Sequence, residues 1–265
     1  MSSQVIDLPM HSMLLAYIFI LVLSFIFMRL GIHRQRQLVV ASLRMSIQLS
    51  IMGYVLMYVF DRPAWWLSLL VVTGMESVAI YNAMKRVKLS MSRQLKRVIC
   101  LSMVTGYVAT IAFFISVVLS PKPWFMPQYF IPISSMIMGN SMTGIALGAN
   151  SLTRSFVDQR ARIENSLMLG ATIGRASREA VTNAFDSAIL PTMNNMLTMG
   201  LVNLPGMMSG QLLSGVFPMT AIKYQVAIML AIIGCTGIAI AMFVTLGYRT
   251  FFTKSEALVD AERDQ

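Results

Sequence analysis

The sequence predicts an all-α integral membrane protein with about seven transmembrane helices, in a single transmembrane domain over residues 1–265. Hydrophobic residues make up 56% of the chain and charged residues only 12%, whereas a soluble domain carries about 25% charged residues. The long uncharged runs suit membrane crossing, because a helix needs about 20 apolar residues to span the hydrocarbon layer. One polar segment, 154–186, interrupts this pattern and predicts a helical region outside the membrane.

Seven spans follow from the uncharged runs, in chain order 8–28, 38–60, 63–84, 98–120, 129–150, 187–217 and 224–248. The second and third contain Arg44 and Glu76, which we expect to face a partner or a cavity rather than lipid. The fifth begins after a proline-rich turn. The sixth is interrupted by Pro191, Gly200 and Pro205, which predicts a kinked helix or a helix followed by a re-entrant segment.

The distribution of positive charge predicts the orientation, because short loops rich in Lys and Arg stay in the cytoplasm. Of the 21 Lys and Arg residues, all but Arg62, Lys122 and Lys223 fall on one side of the predicted spans. The N-terminus is therefore expected outside and the C-terminus in the cytoplasm. Only an odd number of crossings permits this arrangement, and seven fits.

Several function classes are excluded by composition. The net charge of +10 is spread over four loops that face anionic lipid, so nucleic-acid binding is not expected. The two histidines, His11 and His33, lie at the ends of the first span, which excludes a buried Ser/His pair and an HExxH metal site. The glycines at 139 and 144 have phosphate-loop spacing, but Ile145 stands where the lysine is needed, so this chain is not expected to hydrolyse ATP.

The polar segment 154–186 predicts a bent helical elbow on the cytoplasmic side. From Ile173 onward, apolar residues recur at steps of three and four while polar residues fill the opposite face, the pattern of an amphipathic helix. A shorter helix precedes it, and Gly170 is the expected break between the two. A helix that lies flat on the membrane surface is the alternative interpretation.

Candidate pathway residues are the polar groups within the spans. Glu76 and Arg44 lie at similar depth, counted at about 1.5 Å per helical residue, so they can form an ion pair. A structural salt bridge and a direct role in a cation path are both open, and Gln48 lies one turn from Arg44 on the same face. Asn140, Ser141 and Asn194 are the other candidates.

Methionine is abundant, with 24 residues, and Met207 and Met208 are candidate metal ligands. Thioether sulfur suits soft metals, but methionine also fills irregular contacts between helices, so the packing role stays the alternative. The ligand set of any metal site is unknown from the sequence.

Glu164, followed by Leu169-Gly170-Ala171-Thr172 and then Ile189-Leu190-Pro191, resembles the cytoplasmic loop signature of ABC transporter permeases. Further runs make residues 44–251 similar to the FetB-type iron-export permeases, which are related to plant aluminium-tolerance permeases. These runs are Asn82-Ala83 with Lys85-Arg86, Ile131-Pro132-Ile133, Met138-Gly139-Asn140-Ser141-Met142, Thr198 to Val202, Leu204 to Gly210, and Ala221-Ile222-Lys223-Tyr224-Gln225.

The resemblance implies a permease homodimer in the lipid of a bacterial cytoplasmic (inner) membrane, working with a separate ABC ATPase subunit that binds ATP and Mg. It implies iron export, although plant relatives are linked to other substrates, including a nucleotide sugar. No catalytic residue and no cofactor are expected in this chain. Coupling to the ATPase is expected at Glu164, Gly170, Ala171, Thr172 and Arg175.

Two other functions stay open. A proton-coupled secondary transporter would use Glu76 and should show internal repeats, of which no convincing one is visible. A membrane scaffold without transport would need no buried ionisable residue, and Glu76 weighs against it.

Overall fold

A computed structural model of the protein describes residues 9–87, 92–253 and 257–258. Residue 8, where the first predicted span begins, lies outside them. The described residues form eleven α-helices and no named strand: α1 Met10–Leu15, α2 Ile18–Arg29, α3 Gln35–Asp61, α4 Trp65–Arg86, α5 Arg93–Phe113, α6 Pro127–Asp158, α7 Arg160–Met168, α8 Ile173–Ala176, α9 Arg178–Thr198, α10 Gly206–Leu213 and α11 Pro218–Gly247. The predicted all-α class is confirmed.

Within the described residues, six helical stretches are long and apolar enough to cross a membrane, and each overlaps one predicted span. They are His11–Arg29, Gln35–Asp61, Trp65–Arg86, Arg93–Leu119, Pro127–Asp158 and Pro218–Phe251. The fourth extends beyond α5 because a π-helical turn, Phe114–Leu119, continues it.

Three of these helices begin at the same end of the bundle. The Ser68 hydroxyl, near the beginning of α4, donates a 3.2 Å hydrogen bond to the Phe125 carbonyl, just before α6. The ring of Tyr129 in α6 stacks on Tyr224 in α11. Helices α4, α6 and α11 are therefore parallel, and the cations assigned to the outer side adjoin these beginnings: Arg62, Lys122 and Lys223.

Helix α9 is antiparallel to α4, α6 and α11 and extends over the same depth of the bundle. Near its beginning, Glu179 accepts a 3.3 Å hydrogen bond from Gln159, just past the end of α6. Just past its end, Met199 accepts one from Gln225 at 3.9 Å, beside the beginning of α11. This 21-residue helix therefore packs alongside α6 over most of the depth of the bundle. The count of seven crossings and the orientation stay predictions.

The predicted sixth span, 187–217, is not one kinked helix. Helix α9 begins earlier, at Arg178, and continues through Pro191 to Thr198. The chain then turns at Gly200, whose φ of +86° favours glycine, and α10 follows Pro205. The sequence pattern does not predict the beginning of α9 at Arg178, because the first half of this helix is polar and belongs to the predicted polar segment 154–186. The structure therefore has a helix followed by a turn and a separate short helix. That this short helix is re-entrant stays a prediction.

The core lies between α4, α5, α6, α9 and α11, and α6 contacts each of the other four. Glycine permits the closest approaches. A Cβ on Gly144 would lie 2.9 Å from the Thr236 side chain, and one on Gly148 would lie 3.1 Å from Ala188. By contrast, α2 has no buried residue and α3 buries only two, so these helices form the edge of the bundle.

We predict that Gly144→Ala destabilises the protein. The added Cβ would overlap Thr236 and approach the Ala188 carbonyl oxygen at 3.3 Å, and overpacking typically costs about 1–3 kcal/mol. Gly139→Ala is the matched control, because it lies in the same helix with no atom within 4 Å of a Cβ. Thermal unfolding in detergent should show a lower Tm for the first variant only. Equal Tm values would contradict this packing of α6.

Candidate functional site

Glu76 is an ionisable residue on the buried face of α4. The buried residues of this helix recur at steps of three and four: Ser68, Val72, Glu76, Ala79 and Ala83. Side chains at this spacing share one face of a helix, which here contacts α5 and α6. Glu76 is about ten residues from either end of α4, or about 15 Å. The helix therefore turns a carboxyl group inward at its middle, where packing alone favours an apolar residue.

Neither carboxylate oxygen of Glu76 has a hydrogen-bond partner among the described residues, and both are buried. The whole residue is 8% exposed. The predicted ion pair with Arg44 is therefore not formed within one chain. The reason is the position of α3 at the edge of the bundle, where the buried residues are Ser42 and Val59 and Arg44 is exposed.

Polar side chains of α5, α6 and α11 form a connected set that includes Glu76. Tyr107 of α5 donates a 2.8 Å hydrogen bond to Ser134 of α6, and both side chains are buried. Tyr107 and Cys235 of α11 lie close enough to Glu76 to interact with it electrostatically. Cys235 also lies next to the hydroxyl groups of Thr110 and Ser141. We call this set the Glu76 cluster: Glu76, Tyr107, Thr110, Ser134, Ser141 and Cys235.

Of the six predicted pathway residues, only Glu76 and Ser141 belong to the Glu76 cluster, where Cys235 connects them. Asn140 is half-buried and donates a 2.8 Å hydrogen bond to the Met136 carbonyl of its own helix. Gln48, like Arg44, is exposed on α3, and Asn194 is exposed on α9. Arg44, Gln48 and Asn194 therefore do not line an interior path within a single chain.

The candidate metal ligands Met207 and Met208 are half-buried in α10. Met207 packs against the apolar core, which agrees with the packing role of methionine. Within residues 9–87, 92–253 and 257–258, no group of three or more His, Cys, Asp or Glu side chains could hold a metal ion. The metal-binding role of this pair stays a prediction.

A second candidate surface is the elbow, residues 160–176, where α7 and α8 meet. Gly170 has a φ of +84°, as expected for the residue that breaks the two helices. Its amide donates to the Leu167 carbonyl at 2.9 Å, and the Ala171 amide donates to the Ser166 carbonyl at 3.0 Å. This pair of bonds is the Schellman arrangement that ends helices. The predicted break at Gly170 is therefore confirmed.

Charged side chains attach the elbow to α9. Arg162 of α7 contacts Glu179 of α9 at 2.6 Å, and Arg160 contacts Glu164 within α7 at 2.9 Å. Such partly exposed pairs contribute about 0–1 kcal/mol each, so their main effect is to orient α7. Ile163 anchors the helix, since it is almost fully buried.

The tip of the elbow is apolar. Met168 is 83% exposed and Leu169 is 89% exposed, and we call this pair the knob. Of the predicted coupling residues, Glu164 and Ala171 are half-buried, whereas Gly170, Thr172 and Arg175 are exposed around the knob. Sequence reasoning did not select the knob, although two large apolar residues at the end of a polar helix are its signal.

Comparison with known proteins assigns the chain to a family. The protein-family model described as "Uncharacterised protein family (UPF0014)" matches residues 10–252 of the chain. The chain belongs to the UPF0014 family. The resemblance derived from the sequence is thereby confirmed, and the protein is a multi-pass membrane protein. No solved structure matches the chain significantly.

Three UPF0014 relatives are similar over most of their length. "Probable iron export permease protein FetB" of Escherichia coli is 34% identical over 82% of each chain. "UPF0014 membrane protein YjkA" of Bacillus subtilis is 31% identical over 95% of this chain and 98% of its own. "Protein ALUMINUM SENSITIVE 3" of Arabidopsis thaliana is 33% identical over 81% of this chain and 77% of its own. The bacterial relatives agree with the predicted location in a bacterial cytoplasmic membrane.

For this UPF0014 protein we predict that Glu76→Met leaves the Tm unchanged or raises it. The substitution replaces a buried carboxyl group without a partner by an apolar side chain of similar size, which is often neutral or stabilising. Thermal unfolding in detergent measures the effect. Ser134→Ala is the control, because it removes the partner of buried Tyr107 and should cost about 1–3 kcal/mol. Equal destabilisation by Glu76→Met and Arg44→Met would instead indicate that the two residues pair.

Proposed function

We propose that this chain is the permease subunit of an ABC transporter that exports iron or a related metal cation. ATP, with Mg, is bound and hydrolysed by a separate ATPase subunit. The knob carries the proposal, because a solvent-exposed apolar pair at the tip of a helical elbow is suited to docking. The cargo assignment comes from the relative named as a probable iron export permease.

The elbow is connected to the bundle in a way that can transmit movement. A displacement of α7 acts on Glu179 of α9 through Arg162, at 2.6 Å. Helix α9 in turn packs on α6, where Ser151 lies 3.1 Å from Ser187 and Gly148 faces Ala188. Because these contacts are close, α9 and α6 have little freedom to slide independently. ATPase movement at the knob is therefore expected to reach the membrane helices through α9.

The surface around the knob defines the chemistry of the docking partner. A shallow polar groove between the elbow and α9 is lined by Arg162, Arg175 and Arg178 and by one acidic residue, Glu179. We expect the ATPase to present an apolar pocket for Met168 and Leu169, flanked by acidic side chains. Apolar burial would supply affinity, and the complementary charges would favour rapid and specific association.

A homodimer suits the positions of the remaining predicted pathway residues. Gln48, Arg44 and Asn194 face outward from a single chain. Such polar groups are costly in contact with lipid, whereas a path enclosed between two copies would hydrate them. We therefore place the cargo path between two chains.

Proton-coupled secondary transport is the second candidate function, favoured by the buried carboxyl group of Glu76. The two candidates differ in their energy source. Metal flux in vesicles that contain only this chain supports the secondary transporter, whereas flux that requires an added ATPase and ATP supports the ABC permease.

We predict that Met168→Ser combined with Leu169→Ser weakens ATPase binding. Loss of two apolar contacts should cost about 3 kcal/mol, or roughly a hundredfold in Kd. Folding should not change, because both side chains are exposed. Co-purification of the permease with the ATPase, followed by titration, measures the effect.

The matched control is Leu201→Ser combined with Val202→Ser. These residues are 90% and 84% exposed but lie after the end of α9, at the other end of the bundle. ATPase binding should survive this change. Equal binding by the knob variant and the wild type would refute docking at the elbow.

We also predict that Gly170→Ala weakens coupling. The φ of +84° is unfavourable by about 1–2 kcal/mol for a residue with a Cβ, so the knob would be displaced. ATPase stimulation by the permease should fall severalfold. Gly174→Ala is the control in the same elbow, because its Cβ would make only an ordinary 3.8 Å contact with Tyr248. A similar loss in both variants would argue against a special role for the turn.

A further inference from the structure

The Glu76 cluster has the properties of an ion-binding site rather than of a packing contact. Its carboxyl group lies at the middle of α4, and both oxygens are buried without a hydrogen-bond partner among the described residues. Hydroxyls of Thr110 and Ser141 in the same cluster also retain unused hydrogen-bonding capacity. Buried polar side chains are rarely left in this state without a functional reason.

The charge of the cluster selects its ligand. An ionised Glu76 would be an uncompensated buried charge, since α5 contributes Tyr107, α6 contributes serine hydroxyls and α11 contributes Cys235. None of these groups is positively charged at neutral pH. Such a carboxyl group takes up one positive charge instead. A divalent cation would leave a net positive charge in the membrane, whereas one proton leaves the cluster neutral. A sodium ion would also leave it neutral, so addition of sodium is part of the test.

We propose that each chain binds one proton at Glu76 and releases it when α4 separates during transport from α5 and α6, the helices that its buried face contacts. On separation, water reaches the carboxyl group, its O–H bond breaks, the proton passes to water and the carboxylate remains. No oxidant or reductant takes part. Proton binding is independent of the proposed function, whereas its release during an ATP-driven cycle rests on that function.

Infrared spectroscopy of the reconstituted permease tests proton binding. At neutral pH we expect the carbonyl stretching band of a protonated carboxyl group, and this band should be lost in Glu76→Gln. Asp61→Asn is the control, because Asp61 is exposed at the end of α3 and should not contribute. If Glu76→Gln fails to fold, isotope-labelled glutamate in the wild type assigns the band by its shift. Absence of a protonated glutamate band would overturn the proposal.

The release step is tested with the ATPase added and the cycle arrested by vanadate. We expect the Glu76 band to lose at least half of its intensity relative to the resting state. An unchanged band, with the ATPase demonstrably bound, would overturn the release step. If the ATPase does not bind at all, the proposed function fails, while the resting band still reports on Glu76. Disappearance of the band on addition of sodium would identify a sodium site instead and overturn the proton assignment.

Discussion

The close packing of α6 against α9 and α11 is the contact on which the rest of the structure depends. Lipid is as apolar as the side chains, so helices in a membrane associate through van der Waals contact and hydrogen bonds rather than through exclusion of water. Gly144 and Gly148 bring α6 next to Thr236 and Ala188. This packing holds the interior in which Glu76 is buried, and it joins α9 to the bundle, so that the cluster and the elbow belong to one mechanical unit.

Glu76 places a carboxyl group in the interior of the membrane bundle, at the expense of packing. The carboxyl group lies on the buried face of α4, between the apolar residues Val72 and Ala79. Tyr107 and Cys235 lie near it, and both are uncharged at neutral pH, so neither compensates a negative charge on the carboxyl group. A group that carries only a proton can stay buried while the helices are together and can ionise when they part.

In the proposed function, the elbow is the docking surface through which an ATPase acts on the bundle. Its apolar tip is held by a Schellman turn on one side and by the contact between Arg162 and Glu179 on the other. Because α9 begins directly after the elbow, force applied at the tip enters a helix that packs along α6. Membership in the UPF0014 family and the similarity to a probable iron export permease agree with a transport machine of this kind.

The sequence by itself determined the membrane class, the positions of six apolar helices and the break at Gly170, because these depend on local composition, helical period and backbone freedom. Tertiary structure decided the rest. Helix α9 joins a polar half to an apolar half, so composition placed its boundary wrongly. The expected pairing of Arg44 with Glu76 followed from equal depth, but depth does not specify which helix faces which, and α3 lies at the edge. The exposure of Met168 and Leu169 likewise depends on contacts between distant segments, which spacing along the chain does not encode.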